Sequence, residues 1–222
     1  MLRESYRTEL EDVVNQLVVM SDSVQIAVRD ATRALLHADL TTAERVISND
    51  SLIDGMHETL EAECFRLLAR QAPVAGELRT IVAAMQMSST LGRMGDLAAH
   101  VAKIARLRYP EVAVPERMRE NIERMSELAE NMVDHVGDIL AARDEETARS
   151  LADQDDEMDE LRTEQFHVML GDDWKEGVET AVDMALLGRY YERIADHAVS
   201  MGSKMIYIVT GEKPEGEQWP TT

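Results

Sequence analysis

Two carboxylates four residues apart on a helix share one face and can close on a single cation. The chain has many such pairs, because 43 of its 222 residues are Asp or Glu. Chance alone supplies about eight of them. Asp134 with Asp138, on the wet side of its helix, is one of these accidents. Others stand apart because they recur. Asp50-Ser-Leu-Ile-Asp54 is matched by Asp155-Asp-Glu-Met-Asp159 at an offset of 105, and Gly92-Arg93-Met94-Gly95-Asp96 by Glu192-Arg193-Ile194-Ala195-Asp196 at an offset of 100. Oxygen donors without cysteine suit hard or borderline cations such as Fe, Mn, Mg or Zn. The competing reading is ordinary charge pairing with Arg93, Arg189 or Arg193.

Other chemistries find less support. The sequence has no Gly-rich phosphate loop, no Ser/His/Asp arrangement and no Cys/His cluster. A ferritin-like di-iron carboxylate protein needs two Glu-x-x-His pairs in one bundle. Glu164-Gln-Phe-His167 is one such pair, and it has no convincing second copy. The six histidines are scattered. Cys64, beside Glu63 and Phe65, reads as a core residue and not as a reactive thiolate.

These residues must be positioned by helices. Leu, Ala, Met, Glu and Arg dominate and aromatics are 4%, a palette that favours helix over sheet. Leu10, Val14, Leu17, Val24, Val28, Ala31 and Leu35 recur at helical spacing, with Ser21 interrupting. Met118, Ile122, Met125, Ala129, Met132, Val136 and Ile139 repeat the pattern about a hundred residues on. Thr41-Thr42-Ala43-Glu44 is a capping box that opens a second helix running to about Arg70. Pro73 breaks the chain, and a third helix runs to about Arg108. Asp144 caps a fifth helix ending near Gly171; Asp173 with Glu176 opens a sixth, which stops at Gly211.

In the third helix the expected stripe is Leu78, Val82, Met85, Ser89, Gly92, Asp96 and His100; in the sixth it is Val178, Val182, Ala185, Arg189, Glu192 and Asp196. The acids then point inward or border the core, where a carboxylate needs a cation. Gly92, Gly95, Gly188 and Gly202 lie inside these helices and read as close helix contacts.

The expected fold is all-α, with six helices in two tandem pseudo-symmetric three-helix bundles. Its parts are residues 1–108, a linker over 109–115, a second bundle over 116–211 and a flexible tail over 212–222. The formal net charge of −20 argues against direct nucleic-acid binding and suits metal cations or a basic protein surface. No apolar run approaches the roughly 20 residues needed to cross a bilayer. One cysteine and no secretory start fit a reducing cytoplasm, with membrane contact only through partners.

Four stretches carry a family resemblance: Arg70-Gln71-Ala72-Pro73-Val74-Ala75-Gly76-Glu77-Leu78-Arg79-Thr80-Ile81, the block Leu91 to Ala98, Tyr190-Tyr191-Glu192-Arg193-Ile194-Ala195-Asp196-His197-Ala198, and Ile206 to Glu212. Together they resemble the PhoU family over nearly the whole chain. The resemblance implies a negative regulator of phosphate uptake and of the phosphate-starvation response. Such a protein links the nucleotide-binding subunit of the phosphate ABC transporter to a sensor histidine kinase, and a homodimer is expected. It also implies metal clusters, with Fe, Zn or Mn as the expected ions, on Glu/Asp-x-x-x-Asp motifs. The matching residues are Asp155, Asp159, Glu192 and Asp196 in the second half and Asp50, Asp54 and Asp96 in the first. Gly92 stands where Glu192 would have its counterpart, so the first site is one carboxylate short unless His100 or Glu58 compensates. A purely structural helical scaffold would explain the heptads but not the matched acids.

Overall fold

The computed structural model describes residues 2–70, 73, 75–142 and 145–211. They form six helices: α1 (Leu2–His37), α2 (Leu40–Arg70), α3 (Gly76–Arg108), α4 (Glu116–Ala142), α5 (Glu145–Leu170) and α6 (Gly177–Thr210). Among the described residues there is no strand, and no helix is long and apolar enough to cross a membrane. The expected all-α fold in two tandem three-helix bundles is the one that forms. The cap expected at Asp144 and the tail from Glu212 lie outside the described residues.

Helices α1, α2 and α3 pack on one another, and so do α4, α5 and α6. The halves meet through α1 against α4 and α3 against α6. Both cross-pairs are antiparallel. Gln25 of α1 donates to Asp134 of α4 at 3.0 Å, and Ser126 of α4 to Thr32 of α1 at 2.7 Å. Arg108 at the end of α3 reaches Asp183 near the start of α6, while Arg79 near the start of α3 lies over the Tyr207 ring near the end of α6. The buried apolar residues of both halves join in one continuous core.

Local sequence explains most boundaries. The α4 stripe is buried at every expected position from Met118 to Ile139. The Ser21 interruption in α1 is also buried, its hydroxyl satisfied by the Val18 carbonyl at 2.8 Å. Gly211 closes α6 in the left-handed conformation (φ 84°), its N–H donating to the Tyr207 carbonyl at 2.9 Å, as a C-terminal glycine should.

Two caps differ from expectation. At the start of α2 the cap is Asp39: its carboxylate accepts from the Thr42 N–H at 3.0 Å and the Thr42 hydroxyl at 2.7 Å. Those bonds hold the Asp39 carboxyl below its ordinary range. The helix therefore starts ahead of the expected Thr41 box. Asp173 does not cap α6, because Arg117 of α4 takes its carboxylate at 2.9 Å.

The inward stripes of α3 and α6 also need correction. Leu78 and Val82 are exposed, as are Val178 and Val182, and Asp96, His100 and Asp196 lie on the same outer faces. The core rows are Ile81, Ala84, Ser88, Leu91, Gly95 and Ala98 in α3, and Met184, Leu187, Gly188, Tyr191, Ala195 and Ala198 in α6. Apolar residues appear on several sides of both helices, exposed as well as buried, so one stripe does not mark the core.

Candidate cation sites

The first acidic set stands at the α2–α3 contact. Gly95 brings the helices together: a Cβ there would meet Ile53 at 3.0 Å and the Asp50 carboxylate at 3.5 Å. Asp50 is half-buried, whereas Asp54 and Asp96 are exposed. Burial first, then the charges of Asp96 and Asp54, raise the Asp50 carboxyl above its ordinary range, against weaker pulls from Lys103 and His100. Three aspartates are thus close enough to repel one another. His100 is stacked on Tyr190, ring centroids 5.3 Å apart.

The second set stands at the equivalent α5–α6 contact. Asp155 is half-buried and its carboxyl is pushed up to about 7, mainly by burial and then by Asp196, Asp159 and Asp156. Asp196 is also raised, by burial first and further by Asp159, while Arg189, Arg193 and Arg162 oppose the shift. Glu192 is held differently: it forms ion pairs with Arg162 of α5 and, at 2.6 Å, with Arg189. One of the arginines weighed from sequence, Arg189, is realised; Arg162 was not foreseen, because it lies on another helix.

The halves therefore differ in more than one carboxylate. The first-half counterpart of Arg162 is His57, whose Nδ1 lies 3.0 Å from the Ser88 hydroxyl, and the counterpart of Arg189 is Ser89. Among the described residues nothing lies within 4 Å of a Cβ added at Gly92, whereas Gly95, Gly188 and Gly202 are close contacts. Among the described residues, no three His, Cys, Asp or Glu side chains stand close enough to hold one ion as placed. The donor chemistry nevertheless fits a cation. Each set is oxygen-only, partly desolvated and self-repelling, and bound positive charge would relieve that repulsion.

Several other groups are placed against catalysis or outside the expected site. Glu164 and His167 line an open hollow on the outer side of α5 with Asp159, Glu160 and Thr163, and not the bundle interior that a di-iron centre requires. Cys64 is fully buried, and desolvation pushes its thiol up to about 11. Sequence reasoning missed two polar links between the halves. Asp183, 5% exposed, is paired with Arg108 at 2.5 Å, and Glu179 joins the same guanidinium. Deeper in, the Thr32 hydroxyl donates to the Val28 carbonyl at 2.9 Å and accepts from Ser126 at 2.7 Å. The Tyr191 hydroxyl, 2.7 Å from Thr32, must then be a donor.

This duplicated bundle has known counterparts. The family profile described as PhoU domain matches the chain twice, over residues 17–105 and 122–205. The chain belongs to the PhoU family. It is 42% identical over 219 residues to the "Phosphate-specific transport system accessory protein PhoU homolog 1" of Mycobacterium leprae, covering 99% of each chain. It is equally 42% identical over 213 residues to the PhoU homolog 2 of Mycobacterium tuberculosis, covering 96% of this chain and all of that one. Its fold superposes on the crystal structure of PhoU from Pseudomonas aeruginosa with a TM-score of 0.85 at 30% identity, over 93% of this chain and 100% of that one.

Proposed function

We propose that this chain is an accessory protein of phosphate-specific transport that restrains phosphate uptake and the starvation response by contact. The observation that carries the reading is membership of the PhoU family along both halves, with full-length relatives named as accessory proteins of that transport system. The partners are the nucleotide-binding subunit of the phosphate ABC transporter and a sensor histidine kinase, engaged by a cytoplasmic homodimer. A net charge of −20 supports docking on basic surfaces, where charge complementarity governs encounter and partner choice. The exposure of Asp54, Asp96, Asp159 and Asp196 on the outer faces of their helices supports the same reading.

Asp155, Asp159 and Asp196 would hold a cation such as Fe, Zn or Mn in the second half, and Asp50, Asp54 and Asp96 in the first. Glu192 stays at the rim in its charge pair with Arg162 and Arg189. Bound metal would neutralise the local repulsion and tie α5 to α6 or α2 to α3; the chain's own residues supply the orientation. Deleting the gene, together with any second copy, should leave high-affinity phosphate uptake and starvation genes active in rich phosphate. Normal repression in that strain overturns the reading, and turnover of a small substrate by the pure protein would favour an enzyme instead.

A further inference from the structure

The seam between α1 and α2 is open on its outer side. Val19, Ile26 and Leu52 are 55%, 47% and 60% exposed along it. Two hollows of about 220 and 670 Å³ run into each other there, since Leu52 and Met56 line both. On the α1 wall, Asp12, Val19 and Ile26 follow at intervals of seven; on the α2 wall, Leu52, Met56, Thr59 and Glu63 follow at intervals of four, three and four. These are the spacings by which helices interlock. From Asp12 to Asp30 the groove runs about 27 Å at a rise of ~1.5 Å per residue, the length of an 18-residue helix. α1 and α2 supply the lining of the groove except for Gly95 of α3, which leaves room for one further helix along their seam.

The second half shows that this opening is not a requirement of the fold. Polar bridges cross both seams, Gln16 to Glu63 at 2.7 Å and Arg45 to Asp30 at 2.9 Å in the first half, Asn121 to the Leu161 carbonyl at 2.9 Å and Arg124 to Glu157 at 2.7 Å at the equivalent α4–α5 seam; the difference lies in the exposed apolar side chains. Among the described residues, α4 exposes no large apolar side chain.

The rim decides the occupant. Asp12 and Glu63 stand toward one end, and Asp30 toward the other. Among the described residues the one lining cation, Arg45, is already bound to Asp30 at 2.9 Å, while Glu63 is shared between Arg66 at 2.8 Å and Gln16 at 2.7 Å. A second copy of this chain, itself at −20, is repelled by such a rim. We propose that the groove receives an amphipathic α-helix of a partner protein, with an apolar heptad stripe facing Val19, Ile26 and Leu52 and with Lys or Arg along both flanks. Helix-in-groove recognition of this kind puts affinity in the apolar anchors and selectivity in the charged flanks. The proposal rests on the adaptor reading only for the existence of a protein partner; it adds where that partner is held.

The test installs benzoylphenylalanine at Leu52 in the full chain, irradiates cells in rich phosphate, and sequences the cross-linked peptide by mass spectrometry. A basic segment with apolar residues at helical spacing is the expected product. The synthetic peptide of that segment should bind the wild-type chain, lose about tenfold or more in affinity to Leu52→Glu and to Val19→Glu, and weaken as salt rises. Both positions are exposed, so the variants should keep the wild-type melting temperature. Cross-linking to a second copy, to lipid or to an acidic or extended segment overturns the proposal, as does no cross-link or unchanged binding by both variants. If the gene deletion derepresses uptake while Leu52→Glu and Val19→Glu restore repression fully, the groove assignment fails and the adaptor reading stands.

Discussion

Gly92→Glu would give the first half the carboxylate that the second half carries at Glu192. Three contributions set the size of the effect. Replacing a mid-helix glycine with glutamate gains roughly 0.5–1 kcal/mol of helix propensity, and the space is available because nothing lies within 4 Å of an added Cβ. A like-charge pair with Asp96 four residues on takes back about 0.2–0.5 kcal/mol. The arginines that hold Glu192 have no first-half equivalents, since His57 and Ser89 occupy those places. In chelator the variant should therefore be about as stable as wild type, or up to roughly 0.8 kcal/mol more so. A fourth, unpaired carboxylate should also tighten cation binding. With free Mn2+ at a hundred times the dissociation constant, a single site adds about 2.7 kcal/mol. Urea unfolding of both proteins, in chelator and in a Mn2+ series, reads each number. The reasoning fails if the variant loses more than about 1 kcal/mol in chelator, or if Mn2+ stabilises it no more than wild type.

Three further predictions follow from the charge and hydroxyl contacts. Because the folded state raises the Asp155 carboxyl from 3.8 to about 7, its contribution to stability is full below pH 4 and is lost as pH rises through 7. In chelator the wild-type melting temperature should fall from pH 5 to 8, and Asp155→Asn should flatten that fall; an unchanged slope refutes the shift. Tyr191→Phe removes one donor to Thr32 and should cost about 1 kcal/mol, whereas Thr32→Val strands the Tyr191 and Ser126 donors and should cost about 2–4 kcal/mol in denaturant unfolding. The reverse order would show that Thr32 is not the shared acceptor. Arg108→Met leaves buried Asp183 without its partner and should cost roughly 3–5 kcal/mol. Adding Asp183→Leu should recover much of that loss, and no recovery would count against the pairing.

Residues with a single consistent role were legible from sequence. The α4 stripe was read in full because that helix has one apolar side and one wet side. The central helices defeated the same method. In α3 the packed row is Ile81, Ala84, Ser88, Leu91 and Gly95, where the small Ala84, Ser88 and Gly95 interrupt the apolar signal and hide how closely the helix approaches its neighbours. The row of Leu78, Val82 and Met85 is more apolar and lies further out. Two caps were misplaced for local reasons: Ala38 leaves α1 with φ 49° just before Asp39, and Asp173 is taken by an arginine 56 residues away. The acidic sets were visible as matched motifs because repetition survives in sequence. The pairing of Glu192 with Arg162 was not, since nothing in a linear spacing shows which helix lies alongside.

Fusion of two like bundles also changes what substitution can do over evolutionary time. In a dimer of identical units, one codon specifies both copies of every position, so each mutation strikes two places at once. Here positions 92 and 192, or 57 and 162, are separate codons on one chain. One half can hold its glutamate between two arginines while the other keeps a bare glycine, and one seam can expose Val19, Ile26 and Leu52 while the α4 side of the other exposes no large apolar residue among those described. Selection can thus act on the two ends of the molecule independently without disturbing the core they share.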